Sequence, residues 1–202
     1  MTAAGVGLGG FLALGHVYTT FGLDPALVAS VGYGRIVPLF GEEWQLSAEV
    51  GTAAPDFDRR DFRARLQTRT TLLHWRSLRL VGGIAFITRG TENSIYRAFN
   101  FGADFTGAAG VYRRSWFLAG EFGFDKAVIT HIAHTDWYRT HFYPEAKDGW
   151  YLNAGGTFHY AVTGGVAFGR TELAVRAGRL RTEDFNDLTP PMYAGVGVGF
   201  RF

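Results

Sequence analysis

The chain has 202 residues, a formal net charge of +2, no cysteine, 28 glycines and 16% aromatic residues. Near-neutrality argues against a nucleic-acid binder that works by neutralising phosphates, and the lack of cysteine excludes a disulfide scaffold and a thiolate metal site. Of the 20 basic residues only Lys126 and Lys147 are lysines. The rest are arginine, the residue suited to several fixed hydrogen bonds with carboxylates or phosphates.

Residues 1–23 carry no charged side chain. They lack the basic n-region of a signal peptide, and Gly5, Gly7, Gly9, Gly10 and Gly15 would weaken a helix. No other apolar run approaches the ~20 residues of a spanning helix. The segment reads as a first strand over 5–18, in a chain whose export signal is expected to have been removed. The GxGxxG match at Gly5–Gly10 lies in no βαβ unit, so it carries no dinucleotide reading.

The rest of the chain repeats one pattern, a period of two bounded by turn residues. Strands are expected over 26–35, 44–50, 62–72, 78–86, from about 94 to 112, 116–125, 150–162, 166–179 and 192–202. Turns are expected at 37–42, 74–77, 113–115 and 163–165. The segment 62–72 is the cleanest: Phe62, Ala64, Leu66 and Thr68 alternate with Arg63, Arg65, Gln67 and Arg69. With the first segment this makes ten strands. Short connections alternate with longer polar ones, the longest being the 126–149 loop.

At the C-terminus Ala194, Val196, Val198, Phe200 and Phe202 form one apolar face, and Tyr193, Gly195, Gly197, Gly199 and Arg201 the other. This ending resembles the closing strand of bacterial outer-membrane β-barrels, whose terminal aromatic residue serves as an assembly signal, here Phe200 and Phe202. The resemblance implies an all-β fold: one transmembrane antiparallel up-and-down β-barrel domain over 1–202, with short periplasmic turns and longer extracellular loops. It places the protein in the bacterial outer membrane with both termini periplasmic. Its implied partners are outer-membrane lipid, lipopolysaccharide and the barrel assembly machinery.

Two aromatic belts are expected at headgroup level. One comprises Tyr33, Trp44, Trp75, Tyr112, Trp116, Tyr160, Phe168, Phe200 and Phe202. The other comprises Phe62, Phe86, Tyr96, Phe99, Phe124, Trp150 and Tyr193.

The faces opposite the apolar ones assign Arg63, Arg65, Arg69, Arg79, Arg170, Arg176 and Arg201 to the lumen, with Glu49, Asp104, Glu121, Asp125 and Glu172. Buried charges need partners, so an interior network of arginine–carboxylate pairs is the first expectation. The functional alternative is a narrow passage or binding site for a small anionic solute, because a cationic lumen attracts anions. Inward positions of the first, second and last strands are mostly Gly, Ala or Ser, which predicts a crevice along that wall. A ten-strand barrel is too narrow for a wide porin channel.

The 126–149 loop holds His131, His134, Asp136 and His141. Their spacing matches no ordered metal signature, so they form only a weak metal candidate, and no cofactor is expected. The loop also suits a contact surface for a partner. Small barrels that hydrolyse outer-leaflet lipid use a Ser–His–acid set, and no convincing set stands out here. His159 has only Thr157 nearby, and His134 with Asp136 is a bare pair.

Overall fold

The computed structural model describes residues 15–23, 27–54, 60–153 and 155–202. The expectations for 5–14, including Gly5–Gly10, lie outside the described residues. Ten strands form a closed antiparallel barrel: β1 (His16–Leu23), β2 (Leu27–Leu39), β3 (Glu42–Ala53), β4 (Phe62–Trp75), β5 (Leu78–Glu92), β6 (Tyr96–Tyr112), β7 (Trp116–His134), β9 (Gly156–Phe168), β10 (Thr171–Thr182) and β11 (Asp187–Arg201). Each pairs with the next, and β11 closes onto β1 with His16 opposite Arg201 and Leu23 opposite Ala194. Outside the ring lie a short strand, β8 (Gly149–Leu152), and a single turn of helix, α1 (Asp136–His141).

Several boundaries differ from the sequence expectation. The first strand covers 16–23, so Thr19–Leu23 are strand rather than connection. The second runs on to a two-residue turn at Phe40-Gly41, where both residues have positive φ (54° and 82°). That geometry is the tight type I′ hairpin turn, which matches strand twist. The expected turn at 163–165 is strand, and the chain reverses instead at Gly169-Arg170, with Gly169 at φ 60°. Arg170 is therefore exposed in a turn and not in the lumen. The segment expected as one strand over 150–162 is two, β8 and the start of β9, separated around Asn153 and Gly155, both at positive φ.

The Phe40-Gly41 and Gly169-Arg170 turns sit at one end of the barrel with Gly15 and Phe202, whose backbones hydrogen-bond to each other. At the other end length goes into strands more than loops. β6 and β7 stay paired from Tyr112–Phe117 out to Tyr96–His134. β7 pairs with β9 only up to Lys126–Gly156, and beyond that β8 takes over as its neighbour along 129–132. The β6–β7–β8 extension thus stands above the rim and carries α1.

The period of two sorts side chains by face. Outward positions are apolar and exposed: Phe21, Val31, Leu66, Phe86, Phe105, Val175 and Val198 are examples. Inward positions are small or polar, with two apolar clusters. Near the turn end Val81, Tyr112, Phe117, Ala119 and Ala174 pack together, Tyr112 stacking on Phe117 at 5.7 Å. Tyr193 lies inside with Ala161 and Leu180. Tyr112 and Tyr193 are thus lumen residues and not belt residues. Tyr160 belongs to the loop end, because the reversal comes later in the chain than expected.

Glycine serves these inward side chains by standing directly opposite them. Tyr18 lies over Gly32, His16 over Gly34, Phe117 over Gly165, His159 over Gly123 and Tyr193 over Gly178, each a cross-strand pair. A Cβ at any of these glycines would come within 2.7 Å of the facing ring. Among the described residues no helix is long and apolar enough to cross a membrane, a statement that does not bear on strands.

Candidate functional site: the lumen

Inward positions of five strands meet in one polar network halfway along the barrel. Arg65 of β4 and Asp104 of β6 form an ion pair, at 5% and 2% exposure. The other oxygen of Asp104 lies 2.8 Å from His159 Nε2 of β9. Arg176 of β10 donates to Glu121 Oε1 of β7 at 2.5 Å and to His159 Nδ1 at 3.3 Å. Because a guanidinium only donates, Nδ1 must accept, and the ring hydrogen sits on Nε2, pointing at Asp104. Both nitrogens of His159 are engaged, so the ring is held as a strut and presents no lone pair to the cavity.

The network continues around the wall. Glu49 of β3 interacts with Arg63 and Arg65, and the Tyr18 side chain of β1 is hydrogen-bonded to Glu49. Arg69 contacts the Gln67 amide oxygen through Nε at 2.8 Å. Arg89 pairs with Asp125, closer to the loop end. Near the turn end Arg201 lies 3.9 Å from the nearly inaccessible Glu172, and Gln45 lies 3.4 Å from His16. Arg79 stacks over Tyr112, and Arg176 over Tyr193 at 4.5 Å.

The sequence-predicted lumen residues Glu49, Arg63, Arg65, Arg69, Asp104, Glu121 and Arg176 come together in this middle layer. Asp125 and Arg79 lie nearer the two ends, and Glu172 and Arg201 form a separate pair. Arg89, His16, His159 and Tyr18 belong to the same interior but were not predicted as lumen charges or partners. Extended alternation along 78–92 would have found Arg89, had the strand not been ended at 86.

The network leaves the opposite wall open. A cavity of about 120 Å³ runs beside β11, β1 and β2, where Gly195, Gly197, Gly22, Thr20 and Ser30 line one side. Arg63, Arg69, Arg176, Glu49 and Glu121 reach it from the other side. A Cβ at Gly195 or Gly197 would meet nothing nearer than 3.4 Å. Here the missing side chains create space and do not accommodate a neighbour's ring.

A second polar cluster occupies the loop end. Asp148 accepts from the His134 backbone N–H at 2.8 Å, lies 3.0 Å from His134 Nδ1 and pairs with Arg139 of α1. The His134 N–H above all, then Arg139 and the His134 ring, hold this carboxyl well below the usual carboxylate range. Thr135 caps α1 by accepting from Tyr138 N–H. Trp137, Phe142, Tyr143 and Trp150 are exposed around it.

The four candidate metal ligands do not converge. His131 packs edge-on against Trp150, His134 is tied to Asp148, His141 donates to the Trp137 carbonyl, and Asp136 opens the helix. Among the described residues no three His, Asp or Glu side chains are arranged to hold a metal.

Fold and lumen together define a small closed up-and-down β-barrel with a charged interior. No protein-family model matches the chain, and no curated protein matches it. Among solved structures it aligns with LpxR from Salmonella typhimurium at a TM-score of 0.40 and 7% identity, covering 87% of this chain and 72% of that one.

Proposed function

We propose that the chain is a small outer-membrane barrel whose glycine-walled chamber binds a small anionic solute and passes it only narrowly. The exterior supports the membrane placement. A continuous belt of exposed Val, Leu, Ile and Phe around the ring is an aggregation hazard in water and a solvated surface in lipid. The charged side chains sit mainly inside the ring and at its rims. On this reading the short turns and both termini are periplasmic, the long extension is extracellular, and Phe200 and Phe202 are the signal read by the assembly machinery.

One observation carries the functional part: Arg63 and Arg69 of β4 line the same cavity as the bare backbone at Gly195 and Gly197. Cationic groups beside an unfilled wall attract an anion, and the low dielectric around them strengthens that attraction. The packed middle layer argues against a wide pore. Planar-bilayer recording tests the proposal. A small anion-favouring conductance, reduced in Arg69→Ala, is expected; a silent barrel that also retains no anionic solute sinks it.

A second reading is an enzyme acting on outer-leaflet lipid, and the His134–Asp148 couple among exposed aromatics at the loop end favours it. Its test is mass spectrometry of lipid A from cells with and without the protein. A changed acyl or phosphate pattern that disappears in His134→Ala would establish it, and an unchanged profile would remove it.

A further inference from the structure

The outer wall carries a feature that neither reading uses. Arg179 and Arg181 lie two residues apart on β10, so both point outward at Cα positions about 7 Å apart. Each faces an aromatic residue of β9 across the ladder, Arg179 opposite Tyr160 and Arg181 opposite Phe158. Phe158 is the centre of a ring cluster with Phe122 at 5.8 Å, Phe124 at 4.6 Å and Phe185 at 4.8 Å. The two cations share one carboxylate, Asp187, at 3.6 and 3.5 Å, and that side chain is 53% exposed. The Arg179 Nε is buried with no hydrogen-bond partner, and the buried Arg181 Nε has only the 3.5 Å approach to Asp187. Two cations thus share one loosely held anion beside the ring cluster, and the Lys126–Glu183 pair at 2.5 Å is the next charged group on this wall.

Their height matters. With strands tilted about 40°, the wall rises roughly 2.5 Å per residue, which places this pair about 20–25 Å above the turn end. That is the upper edge of an apolar band of roughly 25 Å, where lipid headgroups begin.

We propose that Arg179 and Arg181, beside the Phe122–Phe124–Phe158–Phe185 shelf, hold the phosphate monoester of an outer-leaflet glycolipid of the lipid A type. Paired guanidinium forks suit the doubly charged monoester better than the singly charged diester of a phospholipid. Asp187 gives way to the phosphate, Tyr160 offers a hydroxyl at sugar height, and the acyl chains lie on the phenylalanine shelf. The site rests on the membrane placement proposed above, with the loop end facing outward.

The test uses the full chain extracted from membranes in neutral detergent, as wild type, R179A/R181A and R179K/R181K. Each is mixed with micelles of phosphorylated lipid A, dephosphorylated lipid A or phosphatidylglycerol, and bound lipid is counted by native mass spectrometry. Wild type is expected to retain phosphorylated lipid A roughly tenfold or more above the other two lipids, and above R179A/R181A. The lysine variant keeps the charge and loses the forks, so intermediate retention is expected, and it serves alone if the alanine variant fails to fold. Equal retention by wild type and both variants overturns the site, as does retention indifferent to the phosphate or equal for phosphatidylglycerol. Fractionation separates the two failures: a wild-type chain absent from alkali-washed membranes overturns the placement itself.

Discussion

The His159 imidazole lies over Gly123, its partner across the β7–β9 ladder, so close that a Cβ at position 123 would stand 2.4 Å from its Cε1 and Nε2. The same ring braces Asp104 and Arg176. Gly123→Ala should therefore displace His159 and loosen the whole middle layer, at about 1–3 kcal/mol, the usual cost of overpacking. The temperature at which the folded band converts to the unfolded one on a gel reads this directly. Gly120→Ala is the control, because its Cβ would meet nothing within 4 Å. Equal midpoints for the two variants would refute the bracing role.

Asp104 is the hinge of the network, with Arg65 on one oxygen and His159 on the other. Asp104→Ala removes the carboxylate in direct contact with an almost inaccessible guanidinium, leaving Arg65 only the more distant Glu49, and a loss of about 3–5 kcal/mol is expected. Arg65→Met with Asp104→Leu removes both charges together and should recover most of that loss. Urea denaturation in lipid vesicles measures both, and a double variant as weak as the single one counts against the ion pair.

The cavity admits a test by filling. Gly197→Ala should leave stability within about 0.5 kcal/mol, since the added methyl finds room. Gly197→Leu should occupy the chamber and reduce conductance or solute retention severalfold while the barrel still forms. Unchanged transport in a folded Gly197→Leu variant would show that the chamber is not the path.

At the loop end the pH dependence has a definite sign. Asp148 has a folded pKa below its ordinary value, so its contribution is fully present above about pH 4 and is lost as pH falls through the depressed value. Tryptophan emission from Trp137 and Trp150 should therefore show no Asp148-linked step between pH 8 and 5, and a shift well below pH 4. Asp148→Asn should show the shifted spectrum already at pH 7. A wild-type transition near pH 4 would mean the clamp is not formed.

Alternation alone made the barrel legible: β4 and β11 read almost residue by residue, because an inward Arg and an outward Leu cannot exchange faces without parting the charge from its lumen partners and setting it on the apolar exterior. The ends of strands were harder. Thr163 to Gly165 look like a turn by composition, yet they stay in the ladder because Phe117, Leu118 and Ala119 belong to a strand that needs a partner there. Conversely, Phe40 has no turn propensity and still occupies a positive φ, imposed by the register of β2 against β3. The charged lumen residues could be named from parity. Their pairing could not, since Arg65–Asp104 and His159–Asp104 join strands separated around the ring, and sequence distance says nothing about reach across a lumen. Tyr112 and Tyr193 were misplaced for a related reason: an aromatic near a strand end fits a membrane belt and a lumen plug equally well until its parity is fixed.

The pairs of glycine with a large inward residue also act as a vernier. The smallest slide that keeps inward side chains inward is two residues. Such a slide of β9 against β7 would set His159 against Glu121 or Asp125 in place of Gly123, and a slide of β11 against β10 would set Tyr193 against Arg176 or Leu180 in place of Gly178. Each alternative crowds two bulky groups into the space of one. Because strand stagger fixes the tilt and girth of a closed barrel, the glycines beneath these rings reject cylinders of the wrong shear as the strands are added.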